Sequence, residues 1–131
     1  MNTDYSASTS KGLGFDLEPV NRNVKQASSL LKAMSNSHRL LVLCQLAGGE
    51  KSVSELEKII GLSQSALSQH LARLRRQNLV KTRRQAQTIF YSLDGDEAAR
   101  IIGALHDIFA ETKAASPLGT DGAGRGSAAY G

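Results

Sequence analysis

Gln64, Ser65, Ser68 and Gln69 carry amide and hydroxyl groups at spacings that gather them near one end of a helix. Such groups both donate and accept, which is the chemistry needed to read base-pair edges, and Arg73 and Arg76 follow with guanidinium groups that reach guanine or phosphate. Leu67, Leu71 and Leu74 stand at i, i+4 and i+7 and form one buried stripe. At roughly 100° per residue, Ser65, Gln69, Ala72, Arg73 and Arg76 point away from that stripe, with Gln64 and Ser68 on its flank. From Lys58 through Leu93 there is no Asp or Glu, yet the run holds Lys58, Arg73, Arg75, Arg76, Lys81, Arg83 and Arg84. A solvated helix face normally mixes both signs. Charge of one sign over a helix and the segment after it is an electrostatic footprint for a polyanion.

The elements that must position these groups are legible on either side. Ser52 stands three residues before Glu55, the capping-box pattern that opens a helix, and Leu56, Ile59 and Ile60 follow at helical spacing. Gly61 is a stop signal and Ser63 a good N-cap for the next helix. Two short helices joined by a tight Gly-containing turn make a helix-turn-helix. Beyond it, Val80 and Thr82, then Ile89, Tyr91 and Leu93, alternate as strands do. Arg84-Gln85-Ala86-Gln87 between them lacks Gly and Asn, so the expected hairpin tip is longer than a two-residue primed turn. A basic hairpin after a recognition helix is a wing. On this reading Gln64, Ser65, Ser68 and Gln69 read bases of double-stranded DNA, while Arg73, Arg76, Lys81, Arg83, Arg84 and Gln87 hold phosphates.

The chain has 131 residues, a formal net charge of +4 and 40% hydrophobic residues, enough for one domain with a modest core. Residues 1–19 are polar and read as a disordered tail, residues 20–113 as the winged helix-turn-helix and dimerisation domain, and the Gly-rich residues 114–131 as a second disordered tail. The fold class expected is mainly α with a small β-hairpin. Val24, Ala27, Leu30, Leu31 and Met34 fit one face of a first helix over Val20 to Asn36. His38 to Ala47 is apolar nearly all round through Leu40, Leu41, Leu43, Cys44 and Leu46, as a central core helix is. A last helix, opened by Asp94 or Asp96 and running to about Lys113, carries Ala98, Ile101, Ile102, Leu105, Ile108 and Phe109. The apolar faces of the first and last helices are wide for so small a core, so a homodimer is expected through Leu30, Met34, Ile101, Leu105, Ile108 and Phe109. Helix-turn-helix dimers read two half-sites about one DNA turn (~34 Å) apart, so the expected operator is palindromic or nearly so. No apolar run approaches the ~20 residues that span a bilayer, and the N-terminus lacks the hydrophobic segment of a secretory signal. One cysteine forms no intrachain disulfide, and a reducing cytoplasm is the simplest compartment.

The run from Ser35 through Leu93, with Leu62 to Leu74 and Phe90-Tyr91-Ser92-Leu93 as its most specific parts, resembles the ArsR/SmtB family of winged-helix repressors. The likeness covers about Val20 to Glu111. It implies a homodimer with the first and last helices at the interface, and a cytoplasmic repressor relieved by an inducer. Arsenic and lead sensors of the family place a Cys-x-Cys pair where this chain reads Ser52-Val53-Ser54-Glu55, without a thiolate. Zinc sensors use a carboxylate and two histidines on the last helix, where this chain has His106, Asp107 and Glu111. Zinc wants four ligands at fixed geometry, so no metal or other cofactor is expected, and His38 and His70 have no evident ligand cluster. LLVLCQL, LSQSALSQHLARLR and AQTIFYSL are most similar to the thiol-based subgroup, which responds to sulfide, persulfide or oxidant or regulates virulence. Those proteins carry one Cys on the second helix and a partner near the end of the last. Cys44 matches the first position, and Ala110 stands at the second. Cys44 is thus the candidate sensor thiol by resemblance, and a small inert core residue by its leucine-rich surroundings.

Two other functions compete with a DNA-binding repressor. A metal-responsive repressor would need ligands beyond a lone histidine, and a dimeric protein-interaction module would use the same helices without phosphate contacts. An enzyme is set aside, because the chain has neither a nucleophile elbow nor a phosphate loop.

Overall fold

The computed structural model describes residues 12–115. The expected tails lie mostly outside them, at residues 1–11 and 116–131. In chain order the elements are α1 (Glu18–Arg22), α2 (Val24–Met34), α3 (Ser37–Ala47), β1 (Lys51–Ser52), α4 (Val53–Ile60), α5 (Gln64–Arg76), β2 (Val80–Gln85), β3 (Thr88–Leu93) and α6 (Glu97–Ala115). They divide into two compact units after Lys32.

The first unit holds α1 and most of α2. One helix over Val20 to Asn36 was the expectation, but the chain starts its helix at Glu18, with Pro19 in the first turn, and breaks it at Asn23. The Asn23 side chain donates to the Pro19 carbonyl at 2.7 Å. Asparagine competes with a helix for backbone partners in this way, so a break here has a local cause.

The second unit is built around α3. The Asn36 side chain accepts from Arg39 N at 3.0 Å and caps its start. The helix packs against α4, α5, α6 and β3, and buries Leu41, Val42, Leu43 and Leu46. Cys44 departs from the core reading: it is exposed, and its neighbours Val42 and Leu43 occupy the interior. Leu56 from α4, Leu67, Leu71 and Leu74 from α5 and Val80 from β2 join Val42 and Leu43 as the largest fully buried side chains. Each is worth about 1.5–3 kcal/mol of apolar transfer. Ile59, which shares the helical spacing of Leu56 and Ile60, is 45% exposed. Met34, expected at the dimer interface, is already buried within one chain.

Three antiparallel strands form a sheet in the order β1-β3-β2. Lys51 faces Tyr91 and Ser52 faces Phe90 across one side of β3. On the other side the register runs from Val80 opposite Leu93 to Gln85 opposite Thr88. That last pair leaves only Ala86 and Gln87 for the tip, so the expected longer loop gives way to a two-residue turn. Ala86 has φ 57° and Gln87 is not left-handed. Positive φ at only the first central position is the sign pattern of a type II′ turn. A left-handed alanine costs about 1–2 kcal/mol, which six cross-strand pairs offset.

The last helix, α6, begins after Asp96, whose carbonyl accepts from Arg100 N. It buries Ala98, half-buries Ile101, Ile102 and Leu105, and leaves Ile108 and Phe109 exposed at 54% and 66%. Among the described residues no helix is long and apolar enough to cross a membrane.

Candidate nucleic-acid interface

The interface begins with how α5 is aimed. Ser52 and Glu55 exchange both capping-box bonds at the start of α4, 3.1 Å to the serine oxygen and 2.7 Å to the carboxylate. The Glu55 carboxyl is held below its ordinary value by the Ser52 backbone N–H it accepts. At the other end of α4, Gly61 adopts φ 81°, and its N–H bonds the Glu57 carbonyl at 2.9 Å. The chain therefore turns within three residues, and Ser63 caps α5 by accepting from Ala66 N.

The leucine stripe of α5 faces inward, which divides the rest of the helix into three surfaces. Ser65, Gln69, Ala72 and Arg76 are exposed on the outermost one. Gln64 and Ser68 turn toward the wing, where they share a cleft with Gln87, Thr88, Ile89 and Tyr91. Deeper along the same flank, Ser68, Ala72, Arg75 and Arg76 meet Tyr91. Arg75 belongs with Arg76 on this surface, although only Arg76 was singled out in the sequence. Its place seven residues after Ser68 on the helix was the available signal. Arg73 is half-buried on the third surface, near Arg39.

That third surface is a patch of cationic and titratable groups at the start of α3. Arg39 donates from Nε to the Ala33 carbonyl at 2.6 Å, and its Nη1 lies 3.5 Å from Nδ1 of His70. The His38 and His70 rings stand 5.7 Å apart between centroids. Burial first, then the charge of Arg39 and then His38, push the His70 imidazole below its ordinary value. His70 therefore accepts from Arg39, which carries only donors.

On the wing, Lys81, Arg83, Arg84 and Gln87 are all exposed. Arg83 is nevertheless engaged. Its Nε and Nη2 donate to the two oxygens of Glu50 at 3.0 and 2.7 Å, and Nη1 donates to Oε1 of Gln85 at 2.8 Å. Its guanidinium also lies 4.6 Å from the Phe90 ring centroid. The hydrogen bond from Arg83 lowers the Glu50 carboxyl from its ordinary value. Glu50 lies outside the acid-free run, and only the pairing of β1 with β3 carries it to the hairpin.

This arrangement of helix, turn, helix and paired hairpin has known counterparts. Residues 36–82 match the family described as bacterial regulatory protein, arsR family. Over 101 residues the chain is 48% identical to the transcriptional activator HlyU of Vibrio cholerae serotype O1, which covers 77% of this chain and 94% of that protein. The chain belongs to the ArsR family. The crystal structure of the transcriptional repressor BigR from Xylella fastidiosa superposes with a TM-score of 0.69 at 41% identity, over 72% of this chain and 97% of that one. The homodimeric winged helix-turn-helix DNA-binding domain of Mb0332 from Mycobacterium bovis superposes with a TM-score of 0.66 at 25% identity, over 76% and 93%. As an ArsR-family protein the chain is a DNA-binding transcriptional regulator with a winged helix-turn-helix fold.

Within that family frame the position of Cys44 takes on meaning. Cys44 lines a cleft between α3 and α6 with Leu40, Ile102, Leu105, His106, Phe109 and Ala110. Cys44 and Ala110, the two positions singled out by the resemblance to the thiol-based subgroup, therefore share one cleft. The apolar lining desolvates the thiol and pushes its pKa up. His106 bonds the adjacent Asp107 at 3.3 Å on an exposed surface. Among the described residues no three of His, Cys, Asp and Glu gather as a metal-binding group.

Proposed function

We propose that this protein is a homodimeric, cytoplasmic repressor that occupies a palindromic or nearly palindromic operator. One observation carries the reading: the wing-facing flank of α5 and the wing line a common cleft, with Gln64 and Ser68 on one side and Gln87 on the other, beside the exposed outer face of Ser65, Gln69 and Arg76. Gln64, Ser65, Ser68 and Gln69 read base edges in the major groove, and Arg76, Arg84, Lys81 and Gln87 track the backbone. Arg73 joins them from the flank nearer α3. The family likeness to proteins named as repressors supports the regulatory sign. Dimerisation uses the exposed end of the α6 face, at Ile108 and Phe109 with Ile101 and Leu105 beside them. Cys44 is the candidate sensor thiol by position, but alanine stands across the cleft, so an oxidised or persulfide form would need a thiol from another molecule to resolve it, and the chain alone holds its DNA-binding state under mild oxidant.

The test is to select a high-affinity duplex from a random pool and compare it with an unselected duplex. Gln69→Ala should cost on the order of 1–3 kcal/mol on the selected sequence and little on the other. Equal losses on both would reassign Gln69 to phosphate, and binding without salt dependence would favour a protein-interaction role instead.

A further inference from the structure

We propose that Glu50 and Arg83 form a latch that positions the wing, and that Arg84, on the opposite face of the hairpin, is the wing arginine that contacts phosphate. This rests on the DNA-binding reading above, and it reverses the expectation that Arg83 is itself a phosphate contact.

Three observations carry it. All three guanidinium nitrogens of Arg83 already have partners, two on Glu50 and one on Gln85, and the plane lies near Phe90. A phosphate would have to displace a two-pronged carboxylate, the arrangement guanidinium fits best. Glu50 is itself anchored, since it directly precedes β1, whose Lys51 pairs with Tyr91. The latch thus joins the chain between α3 and α4 to the middle of the wing, 33 residues away in sequence.

Strand alternation separates the two arginines. Arg83 pairs with Phe90 and Arg84 with Ile89, so their side chains lie on opposite faces. Ile89 and Tyr91, on the Arg84 face, line the cleft that Gln64 and Ser68 share. Arg84 therefore stands on the recognition-helix side, and among the described residues no ion pair holds it. Glu50 and Arg83 act as positioning residues through the hairpin backbone.

Hydrogen exchange at the hairpin amides and the salt dependence of duplex binding test the assignment on the full chain. Arg83→Lys keeps the charge but loses the fork, so as a latch it should behave like Arg83→Ala. Both, and Glu50→Gln, should speed exchange in β2 and β3 by a factor of about 1.5 to 5, and the double variant Glu50→Gln, Arg83→Lys should add nothing further. On a two-half-site duplex the slope of log affinity against log salt should fall by about 1.8 in Arg84→Ala, one contact from each protomer of the dimer, and stay unchanged in Arg83→Ala. A slope lost in Arg83→Ala and restored by Arg83→Lys would overturn the latch, as would unaltered exchange in Glu50→Gln. Wild-type protein that binds no duplex in a salt-dependent way would instead overturn the DNA-binding reading, and the exchange comparison would still decide the latch.

Discussion

A thiol whose pKa is raised by an apolar cleft holds less thiolate at neutral pH than an ordinary cysteine, and thiolate is the reactive form. Cys44 should therefore alkylate more slowly at pH 7 than a cysteine in a short peptide, with a rate still climbing at pH values where the peptide has levelled off. With Ala110 opposite, no intrachain disulfide forms, and operator affinity should survive mild peroxide or polysulfide. A large, reductant-reversible loss that vanishes in Cys44→Ser would show that the single thiol suffices. His70 makes a second prediction at this scale. Its pKa is depressed in the folded chain, chiefly by burial and then by Arg39, so the unfolded chain binds the proton more readily. Stability contributed by neutral His70 is complete above the ordinary value of 6.5 and is lost as pH falls through the lower folded value. Thermal unfolding between pH 7.5 and 5.5 should show that decline, and His70→Gln should flatten it. The sequence exposed the types and spacing of such residues, but not their environments. Cys44 looked buried because four leucines surround it, and only the packing of α3 turns it to a surface cleft.

The helix-turn-helix was legible because local chemistry decides its elements. The capping box at Ser52, the left-handed Gly61 and the leucine stripe each act within a few residues, and each stands where the pattern placed it. The misses in the sheet share the opposite property, whereas the break at Asn23 has a local cause that the apolar pattern over Val20 to Asn36 does not show. The strand β1 is two residues long, too short to show alternation, and it exists because β3 offers it a partner. At the wing tip, composition argued against a tight turn, yet the register up to Gln85 and Thr88 forces one on Ala86. A glycine there relieves the positive φ at some cost in unfolded-state entropy. Ala86→Gly should raise stability by up to about 1 kcal/mol, seen as a higher melting temperature. A lower melting temperature would mean the alanine backbone is not under strain. Ser52→Ala removes a buried cap and should cost about 1 kcal/mol in denaturant unfolding.

For the whole molecule the decisive quantity is the apolar surface one chain leaves uncovered. Phe109, 66% exposed on α6, is a poor residue to leave in water beside Ile108. Replacing both with Glu should yield monomers at micromolar concentration in sedimentation, with weaker binding to a two-half-site duplex and little change on a single half-site. An unaltered dimer would place the interface elsewhere. The sheet order has a consequence of another kind. Because β3 is central, the free edge of β2 presents unpaired backbone groups to solvent, an invitation for another chain to add a strand. Lys81 and Arg84 place positive charge on that short edge, and charge of one sign repels an identical strand. The cations proposed to attract phosphate therefore also keep free molecules apart, so variants that neutralise the wing should be assayed for aggregation before weaker DNA binding is blamed on lost contacts.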